Sequence, residues 1–335
     1  CCYGMVQIDL LGDFRYIYSG FIEGGILVAV LILDEKNNSF SPILNDKSLS
    51  FLPIGVNSNL LGFFYSRINS YFSKDKIYVV CEKGEEELVT ESCSSINEEN
   101  IIVEPLRIDY HISVFFASLV IGKLLPDSRL FFFPVNFLFS DNFKMGSFIF
   151  ASSEMVLKDW LIIPSVAMGK NDIVNENIVE GGKPLCNTKG VDFFEVENFI
   201  KISENSKKRK IFGKQGKNIG ALFGKQKVLI EYFLKYSKEI LIKNLYNCFK
   251  YDSIVWDNIV SEYNSVPSKE VVCNFFTEVK GVLTIFIDTK VYDMNSWRSY
   301  LCRFADVDSN LISGEVTHND CKGVVCLNYD NGNIT

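Results

Sequence analysis

Histidine is nearly missing from this chain. Its 335 residues include two, His111 and His318, which removes histidine-rich zinc centres from consideration. The ten cysteines contain no pair in CxxC spacing, so neither a zinc ribbon nor a dithiol redox motif is present. Cys1 and Cys2 are adjacent, a poor geometry for bridging each other, and the rest are scattered; free thiols in a reducing compartment are the expectation. A basic excess is also lacking. Lys and Arg number 34 against 41 Asp and Glu, for a net charge of −7, which argues against nucleic acid as a partner. The longest nearly unbroken apolar run, Ile26 to Leu33, has eight residues, where a bilayer span needs roughly 20; no membrane partner is expected. There is no Walker loop, no Gly-x-Gly-x-x-Gly fingerprint, no internal repeat and no low-complexity segment.

Hydrophobic residues make up 47% and charged ones 22%, the balance of a chain that buries a large core. The length suggests one large domain with an appendage. Residues 1–25 read as a poorly defined N-terminal extension: Leu10-Leu11 and Phe14–Tyr18 are apolar, but Glu23 and Gly24-Gly25 interrupt them. The basic start and clean apolar centre of a signal peptide are lacking, and a cytoplasmic location is the default expectation.

Ile26–Leu33 predicts a buried strand of a largely parallel sheet. Leu60–Phe72 predicts a helix, Lys76–Cys81 a strand, Glu85–Ser94 an acidic helix and Asn100–Val103 a strand. Ile112–Lys123 follows as a buried helix, and Arg129–Phe133 as a strand closed by Pro134. Strand and helix in alternation predict an α/β fold with an open mixed sheet and helices on both faces. The second half is less regular. It predicts short strands at Ser147–Phe150 and Trp160–Pro164, a loop or hairpin over Asn171–Lys189, and a strand at Phe193–Ile202. Lys225–Phe249 reads as helical and Val282–Asp288 as a buried strand; after Trp297 come short extended stretches at Gly314–Thr317 and Gly323–Asn328. Lys207–Lys210 is a basic cluster, open to reading as solvated surface charge or as a phosphate-facing patch. His111 and His318 read as surface or satisfied residues.

Short motifs are set along this alternation. Val103-Glu104-Pro105 precedes the buried helix, and Leu125-Pro126-Asp127 is followed by Phe133-Pro134-Val135-Asn136-Phe137. Then come Lys217–Phe223 (KNIGALF), Pro267-Ser268-Lys269-Glu270, Asp293-Met294-Asn295-Ser296-Trp297, Asp308-Ser309-Asn310 and Ser313-Gly314-Glu315-Val316. Taken in order, from about Ile26 to Gly314, they resemble the bacterial mannose-1-phosphate guanylyltransferases of the sugar-nucleotidyltransferase family. The family's steps are Leu-Glu-Pro, Leu-Pro-Asp, Pro-Ala-Asp-His, Trp-Asn-Ser-Gly-Met-Phe, Pro-Ser-Ile-Asp, Asp-Val-Gly-Ser-Trp, Asp-x-x-Gly-Asn and Gly-Asp-Val. Asp293–Trp297 is the most specific match.

The resemblance implies a nucleotidyltransferase fold of the GT-A, Rossmann-like type over residues 26–300, with residues 301–335 starting a short β-rich C-terminal appendage. It implies formation of GDP-mannose and pyrophosphate from GTP and mannose-1-phosphate. It further implies Mg²⁺ held by Asp293 and Asn136, a degenerate nucleotide-binding loop at Asp34, Lys36, Asn37 and Ser39, and substrate contacts from Glu104 and Asn218.

The chain also departs from that pattern. Asp34–Ser41 contains neither glycine nor arginine, where the family has Gly-Gly-x-Gly-x-Arg, and the acids Asp34 and Glu35 repel a triphosphate. Ser48-Leu49-Ser50 stands for Pro-Lys-Gln, Asn136 for the first metal aspartate, Phe137 for its histidine neighbour, and Lys201-Ile202-Ser203 for Glu-Lys-Pro. Impaired or altered catalysis is therefore expected, and no catalytic residue is assigned. The alternative is a non-catalytic pseudoenzyme, a binding or regulatory subunit with a protein partner or a second copy of itself. Three of the marked residues have plainer readings: Asn218 as a turn former, Glu104 as an exposed residue before Pro105, and Asp293 as a turn residue after a strand.

Overall fold

The computed structural model describes residues 25–34, 44, 47–54, 58–140, 143–168, 178–200, 214–237, 240–250, 255–265, 281–295, 297–306, 308–313, 316–317 and 320–327. The first strand, β1 (Leu27–Ile32), shows why its run is apolar throughout. Val28, Val30 and Ile32 enter one buried cluster while Ala29 and Leu31 enter another. Side chains alternate faces along a strand, so a strand apolar at nearly every position is one covered on both sides.

The next elements are α1 (Leu60–Ile68), β2 (Ile77–Glu82), α2 (Glu86–Ser92), β3 (Ile101–Glu104), α3 (Tyr110–Leu124), β4 (Arg129–Pro134) and β5 (Phe137–Phe139). Through β4 they match the alternation read from the sequence; β5 is not among its elements. The chain continues through α4 (Met145–Leu157), β6 (Leu161–Ala167), β7 (Ile178–Thr188), β8 (Val191–Ile200), β9 (Lys214–Asn218) and β10 (Leu222–Lys225). After these come α5 (Gln226–Tyr236), α6 (Ile240–Lys250), α7 (Trp256–Asn264), β11 (Val282–Ile287), β12 (Val291–Asp293), α8 (Trp297–Phe304), β13 (Leu311–Ser313) and β14 (Val325–Leu327).

Ten strands form one mixed sheet in the order β11-β8-β7-β9-β6-β10-β4-β1-β2-β3. β3, β2, β1 and β4 run parallel, and β10 lies antiparallel between β4 and β6. The two faces carry different helices: α1 and α4 contribute to the first buried cluster, α3, α5, α6 and α7 to the second. In the second, Phe116 meets Phe249 and Tyr263 edge-on, with ring centroids 5.8 Å apart in each pair.

An open sheet describes only part of this arrangement. β6 also pairs parallel with β11, from Leu161↔Val282 to Val166↔Ile287, so β6, β9, β7, β8 and β11 close into a circuit. Two small residues permit the closure. A Cβ at Gly181 of β7 would come within 2.6 Å of the Phe286 ring of β11, and one at Gly216 of β9 within 2.8 Å. Three register shifts along the β7–β8 pair bend the hairpin, as bulges do.

Three local expectations are corrected. Ser147–Phe150 is helix, not strand: Met145, Phe148, Ile149, Ser152, Met155 and Val156 are buried at helical spacing. The helical stretch Lys225–Phe249 is two helices, because Ser237 leaves helical backbone with ψ 132°. After Trp297 the chain is first helical, with Trp297, Leu301 and Phe304 packing on the first cluster. Two short parallel strands, β13 and β14, follow. Of the loop or hairpin expected over Asn171–Lys189, residues 171–177 lie outside the described ones and the rest is the first arm of a hairpin, Thr188 pairing with Val191 across Lys189-Gly190. Both turn residues have positive φ (53° and 84°), as a two-residue turn matched to strand twist requires.

No helix among the described residues is long and apolar enough to cross a membrane. β10 joins the parallel strands to the circuit, and its Phe223 is fully buried, stacked on Phe131 at 4.5 Å. Phe223→Ala is expected to cost about 3–5 kcal/mol, read as a lowered urea midpoint at unchanged slope; a loss under about 1 kcal/mol would mean that this junction does not hold the sheet together.

Candidate functional site

Parallel α/β sheets hold ligands in the crevice outside the carboxyl ends of their strands. Here that edge belongs to β3, β2, β1 and β4. Leu33-Asp34 leaves β1, Lys83–Glu85 leaves β2, Pro105–Arg107 leaves β3, and Val135-Asn136 leaves β4. The last register pair of β1 and β4 is Ile32↔Pro134, so Asp34 and Asn136 stand at equivalent positions beyond it.

A buried guanidinium ties these ends together. Arg107 donates through Nη1 to the carbonyls of Leu33 and of Asp34 (3.0 Å), through Nη2 to the carbonyl of Val80 (3.4 Å), and through Nε to Glu104 Oε2 (3.3 Å). The side chains are 5% and 0% exposed. Glu104 accepts further from the Ser113 hydroxyl (2.7 Å) and the Tyr263 hydroxyl (3.0 Å). Its reading as an exposed residue is therefore corrected. Burial pushes the Glu104 carboxyl up, the charge of Arg107 opposing it, and burial also pushes the Tyr263 hydroxyl well above its usual range. Both carboxylate oxygens face protein donors, so Glu104 is a strut beneath the crevice.

The degenerate loop begins just above. The Asp34 N–H donates to Ser50 Oγ (3.0 Å), and the Ser48 hydroxyl donates to the Asp34 carbonyl (2.7 Å). Lys36, Asn37 and Ser39 lie outside the described residues, as do His318, the Lys207–Lys210 cluster and Pro267–Glu270.

The other marked residues meet at the end of β4. Asn136 is 7% exposed, and its carbonyl accepts from the Met294 N–H (2.8 Å). β12 pairs with β5, setting Asp293 opposite Phe137. Asn218 turns the chain between β9 and β10: its Oδ1 accepts from the Gly220 N–H at 2.9 Å, and Gly220 has φ +76°, a conformation suited to glycine. That is the plainer reading of Asn218. The turn lies against Pro134, whose Cγ is 3.4 Å from where a Gly220 Cβ would stand. The remaining member, Lys217, was not singled out from the sequence. Its ammonium donates to Asp293 Oδ2 at 3.3 Å and lies over the Phe137 ring, 5.4 Å from the centroid.

Mg²⁺ takes oxygen ligands at about 2.0–2.1 Å, commonly one or two carboxylates plus substrate phosphates. Asn136 supplies an amide oxygen, Oδ1, that is buried without a hydrogen-bond partner. Asp293 supplies the only charge of the pair, and both its oxygens are engaged: Oδ2 by Lys217 and Oδ1 by the Asn295 N–H at 3.1 Å. A cation of the protein already rests on the charged ligand, so this donor set does not fit a resident Mg²⁺. Among the described residues no three His, Cys, Asp or Glu side chains converge as a metal site elsewhere. The described cysteines are free thiols. Burial pushes Cys81 and Cys93 up to about 12, which leaves neither as a thiolate at neutral pH.

Two expected outcomes follow from the buried charges. Glu104→Ala strands the Arg107 guanidinium and is expected to cost about 3–5 kcal/mol of stability in chemical denaturation; a variant of native stability would show Glu104 not to be structural. Glu85 is also buried, its Oε2 accepting from the Glu82 N–H at 3.1 Å, and burial raises its pKa. The folded chain then holds this proton more tightly than the unfolded chain. Stability is fullest below the unfolded pKa of about 4.3 and falls as pH rises through the folded value. Glu85→Gln should match the wild-type melting temperature at about pH 4 and exceed it at about pH 8; equal differences at both pH values would contradict this.

Neither a protein-family model nor a curated protein matches the chain. Solved structures do resemble it. Mannose-1-phosphate geranyltransferase from Thermus thermophilus superposes with a TM-score of 0.69 at 15% identity, over 92% of this chain and 88% of that one. Mannose-6-phosphate isomerase from Helicobacter pylori gives 0.56 at 14%, over 79% and 99%. UDP-glucose pyrophosphorylase complexed with UDP-glucose gives 0.51 at 11%, over 82% and 95%. At such identities the likeness is one of fold: this chain has a sugar-nucleotidyltransferase-like fold.

Proposed function

We propose that the chain binds a nucleotide sugar, or the nucleotide and sugar phosphate from which one is made, in the crevice at the carboxyl ends of β1 and β4. One observation carries this reading. Asp34, Asn136, Asn218 and Asp293, marked in the sequence from separate motifs, gather at that edge of the sheet, where folds of this kind hold ligands. The UDP-glucose complex of a protein with the same fold supports the ligand class. The motif order adds the finer identity, guanosine and mannose.

Turnover is a separate matter. Removing one donor aimed at developing charge typically costs about 10²–10³ in kcat. The loop after β1 lacks both the glycines and the arginine, and Arg107, which reaches this edge, is engaged by backbone carbonyls and Glu104. The reading is therefore a binding protein built on the fold. The second reading is GDP-mannose formation from GTP and mannose-1-phosphate at a low rate. Asn136 Oδ1, buried and without a partner beside the Asp293 strand, favours it.

Titration calorimetry with GDP-mannose and UDP-glucose should show saturable binding, weakened at least tenfold in Asp293→Asn. Pyrophosphate release with GTP, mannose-1-phosphate and Mg²⁺ should not exceed that of the same variant. Release that the variant abolishes would establish the enzyme, and no binding of either nucleotide sugar would remove the binding reading.

A further inference from the structure

We propose that Lys217 is a built-in cation that stands in place of a divalent metal, so that this crevice takes phosphate groups without one. The inference rests on the binding reading above and adds to it how the phosphate's charge is met.

Asn136 is neutral, and the single negative charge of Asp293 already has the Lys217 ammonium beside it at 3.3 Å. The geometry agrees. Lys217 sits in the middle of a sheet rather than on a loop: its strand β9 pairs with Val166 of β6 on one side and with Ile178 of β7 on the other. From there its ammonium reaches Asp293 on β12 at 3.3 Å, passing over the Phe137 ring. A Mg²⁺ bound to that same oxygen at about 2.1 Å would lie within about 5.5 Å of the ammonium, and the two cations would repel. An ammonium is a compact point charge with three donors, so a carboxylate and a ligand phosphate can flank it as they flank a metal ion. The two side chains are 28% and 23% exposed, so the pair lies at the surface of the crevice.

The test uses the full chain, with inorganic pyrophosphate and Mn²⁺ as probes and circular dichroism to confirm that each variant is folded. By electron paramagnetic resonance, Lys217→Met should take up one Mn²⁺ at least tenfold more tightly than wild type or Lys217→Arg, because no ammonium then rests on Asp293 Oδ2. The gained site should vanish in Lys217→Met/Asp293→Asn. By calorimetry, wild type should bind pyrophosphate within twofold equally in EDTA and in Mg²⁺, and Lys217→Met at least tenfold more weakly in EDTA. Three results would overturn the inference: a wild-type Mn²⁺ site lost in Asp293→Asn, no Mn²⁺ gain in Lys217→Met, or pyrophosphate binding that needs Mg²⁺ or is absent in both buffers. Nucleotide sugars that fail to bind while these expectations hold would count against the proposed ligand alone. Nucleotide sugars that bind only with Mg²⁺ would keep the binding reading and remove this one.

Discussion

The guanidinium of Arg107 ties three parallel strands together near their carboxyl ends. Its donors go to the carbonyls of Leu33 and Asp34, just past β1, to that of Val80 within β2, and to the carboxylate that ends β3. A buried carbonyl without a donor is costly, and Leu33 lies just past the last residue of its strand. One side chain with donors in a rigid fork serves several at once. Glu104 neutralises it, and Ser113 and Tyr263 in turn complete Glu104. Tyr263 belongs to α7 and Ser113 to α3, so the charged knot also joins two helices of one face to the sheet edge. The floor of the crevice is thereby built before any ligand is considered.

The wall on the other side comes from the closed circuit. β6 takes partners on both edges, β9 and β10 on one and β11 on the other, and β9 carries Lys217 toward the β4 end. The segment after β11 runs back as β12 to pair with β5, which delivers Asp293 to the same place. Two glycines that accommodate Phe286 and a two-residue turn with positive φ are what this closure asks of local chemistry. The site is thus assembled between two differently built halves of one sheet: Asp34 and Asn136 end strands of the parallel half, and Lys217 comes from the circuit.

Most of the first half was legible in the residues. β1 reads as apolar at every position because both faces are covered, and the alternation through β4 follows from the same rule. Ser147–Phe150 misled because a run of three apolar residues fits strand and helix alike; only the longer spacing from Met145 to Val156 separates them. The helix at Trp297 is short, eight residues, so its spacing of Trp297, Leu301 and Phe304 makes only about two turns of helical pattern. At the proposed site, motif order marked Asn136, Asn218 and Asp293, but gave no role to Arg107 or to Lys217. Arg107 left a faint signal, an opposite charge three residues after Glu104. Lys217 stands where the resembling family has tryptophan, but a lysine before an asparagine carries no charge partner that the local sequence shows.

Periodicity, composition and motif order belong to neighbouring residues, and they suffice for the α/β class and for the strands and helices of the parallel half. Closure of the circuit, burial of Glu104 and the charge balance at Asp293 were decided only by tertiary structure. The reason is separation along the chain. Lys217 and Asp293 are 76 positions apart, and Glu104 and Tyr263 are 159 apart; whether such pairs meet depends on strand order and register, which no local pattern encodes.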